Sequence, residues 1–338
     1  METRKLQKIG GSTYSVSLPK EWAREHHLEA GMPIHLYPHT DGSLVVRGAG
    51  QDGGPLSATT VDLPAADANC VARAVRAAYA VGYDTVTLVA PEDEALTAED
   101  RRLVRRLVQT MVGMSVVEET AERITVENLL DASEVSIRQS VTQLQFTALS
   151  MHRTAAERLR RGVTDDASAP DPLDDRDDEV DRLFEMITRH FNRSLADLGE
   201  IDDLDVRRPE LFDYYLVARQ IERVADHAVR IGSLAERAAS VVDEDLLVDV
   251  VALAEAACEV VETATTAVLE TSVERAHVAL DRRDRLIDDG RALDRALFER
   301  AQPGAYALSR VLARLARTAE CGGNVARVAL RASVRPEV

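Results

Sequence analysis

From about Ser133 onward the chain keeps helical period, and it does so twice over. "DDEVDRL" (177–183) and "DRLIDDG" (284–290) place Asp177/Asp181 and Asp284/Asp288 at one spacing, 107 residues apart. "ERVADHAVRIG" (222–232) and "ARTAECGGNVA" (316–326) align 94 residues apart, Arg223 on Arg317 and Asp226 on Glu320. Self-similarity in register signals a duplicated supersecondary unit, here three helices per unit. The longer turn "LGEIDDLDVRRPE" in the first unit absorbs the 13-residue difference in offset. The repeats run 133–240 and 243–333 within a helical region of 133–338. The expected helices are 135–161, interrupted by "GVTDDASAPDPLDD", then 175–196, 209–239, 244–272, 273–302 and 305–332. Pro303-Gly304 separates the last two. Helices of this length with short connections close into antiparallel bundles.

Two shorter segments precede them. Residues 1–48 read as β-rich: "TYSVSLP" alternates, and "IHLYPHTDGSLVVR" is a hairpin about Asp41-Gly42. A short helix over Lys20–Leu28 lies between them, followed by the turn residues Ala30-Gly31-Met32-Pro33. So few residues make a poor core alone, and dimerisation is the usual remedy. "GAGQDGGPLSA" (48–58) is a linker. Residues 59–128 alternate strand and helix, with Thr97 capping a helix from Ala98 and Gly82 ending an earlier one. This small α/β module has no Gly-rich phosphate loop and no nucleophile–His pairing, so no chemistry is assigned to it. The fold class is α+β multidomain.

Charge narrows the function. The net charge is -17, and the only lysines are Lys5, Lys8 and Lys20. A diffuse acid surplus with almost no Lys reads as a halophilic protein, whose self-repulsion strong screening makes tolerable, with an ordinary acidic protein from a high-GC genome as the alternative. Against that background, Arg4, Lys5, Lys8, Lys20 and Arg24 face only Glu2 and Glu21 between Met1 and Arg24. This local positive stretch reads as a contact for a phosphate backbone, with incidental solubility as the alternative. No apolar run of 18 residues exists and the N-terminus is charged, so a cytoplasmic chain without membrane insertion is expected. Cys70, Cys258 and Cys321 are odd in number and far apart, which suits small core residues rather than a disulfide framework or zinc knuckle.

Acidic pairs at i and i+4 repel on a bare helix by a few tenths of a kcal/mol. Asp177/Asp181 and Glu222/Asp226 both border an apolar stripe, and two helices each giving two carboxylates can supply a hard cation. A solvated acidic surface is the other reading, since acids crowd residues 163–181. His227 points about 100 degrees away from Asp226 on the wheel, which suits helix packing better than ligation.

These residues carry two resemblances. "KIGGSTYSVSLPKEWAREHHLEAGMPIHLYPHTDGSLVV" resembles the AbrB/SpoVT swapped-hairpin DNA-binding domain, in which two chains interleave strands. Ala23 stands where the pattern often has Arg. Residues 133–338 resemble PhoU, the phosphate-uptake regulator built of two three-helix repeats, most specifically at "QIERVADHAV" and "DDEVDRL". The order of segments is that of archaeal PhoU-like transcriptional regulators.

The first resemblance implies DNA contacts from Arg4, Lys5, Lys8, Ser12, Tyr14, Lys20 and Arg24, and a homodimer. The second implies a divalent metal or an iron or zinc cluster held by Asp177, Asp181, Glu222 and Asp226. Asp284, Asp288 and Glu320 are the second-repeat counterparts, with Ala316 in the fourth position. Cys321 replaces the motif His, and Arg230 occupies the usual Asn position. The expected function is transcriptional regulation of phosphate-uptake genes, with no catalysis. One rival is a signalling adaptor docking on a phosphate ABC transporter or kinase without binding DNA. The other is a carboxylate-bridged metal enzyme, disfavoured because no Glu-x-x-His pair occurs.

Overall fold

The computed structural model describes residues 3–38, 44–48, 56–161, 172–197, 199–239, 244–299 and 304–336, divided into two units, Met1–Gly54 and Pro55–Val338. In the first unit, alternation makes strands and glycine makes the turn. β1 (Gln7–Ile9) turns through Gly10, at φ 68°, into antiparallel β2 (Thr13–Ser15), with Lys8 opposite Tyr14. α1 (Lys20–Glu25) is shorter than the expected helix. His27 takes a left-handed φ of 53°, and the Leu28 N–H donates back to the Ala23 carbonyl at 2.8 Å, which closes the helix before Leu28. β3 (Ile34–Pro38) pairs antiparallel with β4 (Leu44–Gly48); the Asp41-Gly42 turn lies outside the described residues. No described residue of this unit is buried, and Leu6, Ile9, Tyr14, Leu36 and Leu44 stand exposed.

The second unit opens with the α/β module. β5 (Ala58–Asp62), α2 (Ala68–Val81) and β6 (Thr85–Val89) form a parallel crossover. α3 (Ala98–Thr110) leads to the hairpin of β7 (Met114–Glu119) and β8 (Arg123–Asn128), and β8 inserts beside β6 to give the order β5-β6-β8-β7. Alternation decides the faces. Val86, Leu88, Ile124 and Val126 are buried with Val71, Val75, Val104 and Val108 of the two helices. On the other face, Thr87 and Thr125 share a hydroxyl hydrogen bond of 3.2 Å. Thr97 and Asp100 form a reciprocal capping box at the start of α3.

Seven helices follow: α4 (Ile137–Arg161), α5 (Pro172–Ala196), α6 (Gly199–Asp203), α7 (Arg208–Ala239), α8 (Glu244–Leu269), α9 (Val273–Glu299) and α10 (Ala305–Ser333). Three corrections to the expected elements appear. α5 begins three residues early at Pro172, whose missing N–H costs nothing in a first turn. α8 stops at Leu269, where Thr271 adopts φ 52° before α9 begins. The supposed acidic turn before α7 contains the short helix α6. α4, α5 and α7 pack as one three-helix bundle and α8, α9 and α10 as another; α7 against α10 and α4 against α8 join them over a single core. Where α10 crosses α8, a Cβ on Gly322 would lie 2.7 Å from Val260 Cγ1 and 3.1 Å from the Val261 nitrogen, so only glycine admits this approach.

The α/β module and the bundles, expected as separate domains, pack within one unit. α5 caps the end of α2. The last carbonyls of a helix lack intrahelical donors and carry partial negative charge. Arg189, 1 % exposed, donates to the Tyr83 carbonyl at 2.8 Å and the Tyr79 carbonyl at 3.3 Å. Asn192 donates to the Ala80 carbonyl at 2.7 Å, and Arg193 to the Gly82 carbonyl at 2.6 Å. Both guanidinium groups also reach Asp84. The short helix α6 completes the junction through buried Glu200, which accepts from Arg193 Nε at 2.9 Å and pairs with His190 Nδ1 at 2.5 Å.

Candidate functional site

α7 presents one border to α5 and another to α10, and the charges on these borders differ. Toward α5 lie Asp177, Asp181, Glu222 and Asp226, and the first three have their ionisation raised by burial and by acidic neighbours. Burial, then Asp181 and Asp226, push the Asp177 carboxyl up to about 6. Burial, then Asp226 and Asp181, push Glu222 up to about 7 despite Arg223 and Arg219. Burial and Asp226 also raise Asp181, against the pull of Arg76. One more turn of α5 adds Glu185, raised by burial and by Asp181 and paired with Arg76 of α2 at 3.9 Å. The stripe 177–181–185 was legible as an i, i+4, i+8 run, yet the sequence reading stops at its second member.

Oxygen donors that repel one another suit a hard divalent cation by their chemistry. They are not drawn to a common centre: among the described residues, no three Asp, Glu, His or Cys side chains are gathered into a group able to hold a metal ion. The second-repeat counterparts differ. Asp284 accepts from Arg283 at 2.6 and 2.9 Å, and Asp288 pairs with Arg291 at 3.3 Å, so arginines of the same helix already answer both charges. Glu320 lies apart from these pairs, in the wall of a groove.

That groove, about 780 Å³, runs between α7 and α10. Asp226 and Glu320 contribute to it, with Arg223 and Arg230 from α7 and Arg310, Arg314 and Arg317 from α10. At one end Asn324 Nδ2 donates to Gln220 Oε1 at 3.1 Å. His227 lines the groove and is otherwise buried, its Nδ1 3.1 Å from Thr318 Oγ1. The same hydroxyl lies 3.2 Å from His152 Nε2, and His152 Nδ1 lies 3.5 Å from Cys258 Sγ. Burial, then His227 and Arg153, push His152 down to about 4. Burial, then the groove arginines led by Arg314, push His227 down to about 4. Burial raises the Cys258 thiol to about 12. Of this chain of groups, only His227 and the cysteines drew attention in sequence. Cys258 and Cys321 are buried and Cys70 is half-buried, and all three are free thiols.

In the first unit, Arg4, Lys5, Lys8, Ser12, Tyr14, Lys20 and Arg24 are all exposed. Opposed in register, Lys8 and Tyr14 share one face of the β1–β2 hairpin, with Ser12 in its turn. Lys20 and Arg24, four apart on α1, share one helix face.

Compared with known families, residues 141–235 match the model described as PhoU domain, and residues 7–51 match that of the antidote-toxin recognition MazE, bacterial antitoxin. The PhoU match covers all of α5 and most of α4 and α7, and so includes Asp177, Asp181, Glu222 and Asp226. No curated protein matches the chain. Both matched families are regulatory rather than catalytic.

Proposed function

We propose, from the premise of a PhoU domain behind a MazE/AbrB-type domain, that this chain is a DNA-binding transcriptional regulator of phosphate-uptake genes, acting as a cytoplasmic homodimer. One observation carries the reading. The N-terminal unit buries none of its described side chains and exposes Leu6, Ile9, Leu36 and Leu44, so its strands need a second copy to cover them. The same unit holds every lysine of an otherwise acidic chain. Hydrophobic cover from a partner copy and a positive face toward phosphates are the two needs of a small DNA-reading dimer.

In this reading the helical region carries the signal. A divalent cation there would be held by Asp177, Asp181, Glu222 and Asp226 and would neutralise their mutual repulsion. No described helix is long and apolar enough to cross a membrane. The test is a gel-shift of the full chain with upstream regions of phosphate-transport genes, at several salt concentrations. Retarded complexes that survive competitor DNA are expected. Absence of retardation at every salt concentration would reject the proposal and leave the adaptor role to be tested against transporter subunits.

A further inference from the structure

The α7–α10 groove gathers arginines in one place. Some guanidinium groups of the bundles find acids, as Arg153 meets Glu262, Arg282 meets Glu259, Arg275 meets Glu270 and Arg335 meets Asp213, while others outside the groove, such as Arg219 and Arg285, make no ion pair among the described residues. Among the described residues, Arg223, Arg230, Arg310, Arg314 and Arg317 make no ion pair and no side-chain hydrogen bond. They stand at i and i+7 on α7 and at i, i+4 and i+7 on α10, so each helix turns one arginine edge to the shared groove. The charges oppose one another: burial, then Arg230, Arg310 and Arg317, lower the Arg314 guanidinium from its ordinary value. A chain with 58 acidic and 41 basic residues had acids to spare for these positions. Among the described residues, the acids that line the groove are Asp226 and Glu320, two carboxylates against five guanidinium groups.

We infer that the groove between α7 and α10 is a binding site for a small anion bearing two or more phosphoryl groups, such as pyrophosphate. Guanidinium is planar and offers paired donors that match phosphate oxygens bidentately. Each repeat supplies one wall: the counterparts Arg223 and Arg317 line the same groove, as do Asp226 and Glu320, and the Gln220–Asn324 and His227–Thr318 contacts run the two helices antiparallel. The volume, about 780 Å³, falls within the range of small-ligand sites and exceeds what a single phosphate fills. The Gln220–Asn324 bond closes one end with neutral amides rather than further charge. This inference does not rest on DNA binding, which uses the other unit.

The test is calorimetric titration of the full chain with sodium pyrophosphate, inorganic phosphate and sulfate, in EDTA so that no metal bridges the anion to Asp226. Pyrophosphate should bind about tenfold or more tighter than phosphate or sulfate, through the added charge-assisted pairs. The Arg314→Gln/Arg317→Gln variant should lose that preference. Because the guanidinium groups repel, this variant should also unfold at a higher temperature than wild type without anion. Arg310→Gln, at an exposed position, provides a milder variant should the double change misfold. Equal response to sulfate and pyrophosphate, an unchanged response in the folded variants, or binding of an acidic peptide without response to pyrophosphate would each overturn the proposal.

Discussion

A Cβ built on Gly82 would run into the side chain of Arg193, which passes over the end of α2 to reach Asp84 and Glu200. Gly82 also holds φ 107°, where L side chains are strained. Gly82→Ala is therefore expected to destabilise the Pro55–Val338 unit by roughly 2–4 kcal/mol, backbone strain and overpacking together. Chemical denaturation followed by circular dichroism measures this. A loss below about 0.5 kcal/mol, the scatter of ordinary surface changes, would mean that the junction yields freely.

Acid should loosen the same junction through Glu200. Burial alone would raise its carboxyl, but hydrogen bonds and charge from His190 and Arg193 outweigh burial and hold it below the ordinary 4.5. With the folded value below the unfolded one, the stabilisation is whole above the unfolded value and fades as pH falls through the folded one. Glu200→Gln should thus be less stable than wild type near neutrality, and the gap should close as pH falls below 4.5 and through the lowered folded value. A gap independent of pH would assign Glu200 a packing role only.

If the N-terminal unit reads DNA, changing Arg4, Lys5 and Lys8 together to Ala should weaken binding to every sequence alike. The slope of log affinity against log salt should fall by about one unit per lost phosphate contact. Binding isotherms at several KCl concentrations provide the slope, and an unchanged slope would remove these residues from the interface.

For a divalent cation, the first repeat should be preferred. Asp284 and Asp288 already have arginine partners, whereas Asp177, Asp181, Glu222 and Asp226 face one another. Metal content after dialysis against manganese in high potassium should fall in Asp226→Ala and hold in Asp288→Ala. Equal content in wild type and both variants, none included, would leave these carboxylates as a solvated surface.

Periodicity made the helices and strands legible, because each depends on neighbours three, four or two residues away. The capping box at Thr97 and Asp100 was readable for the same reason. The junction was not: Arg193 and Asp84 meet across more than a hundred residues, and nothing local in "RHFNRSLADLGE" says that its two arginines cap another helix. Treating 197–208 as a turn hid the helix that carries Glu200. The groove was half readable. The sequence alignment set Arg223 on Arg317, but only the packing of α7 on α10 shows that the two line one groove.

Thr318 has one hydroxyl proton and two histidines within hydrogen-bond distance. It can donate to His152 Nε2 or to His227 Nδ1, never to both, so at least one of those facing nitrogens must bring its own hydrogen. Of the four tautomer combinations open to two neutral imidazoles, one is forbidden. The Cys258 thiol, still protonated far above neutral pH, orders the rest when it donates to His152 Nδ1. His152 then carries its hydrogen on Nε2, Thr318 passes its own to His227 Nδ1, and His227 is left with an N–H at Nε2. A sulfur in the interior thereby writes the handedness of the whole line of hydrogens. Alkylating Cys258 would erase that instruction without touching any residue of the groove.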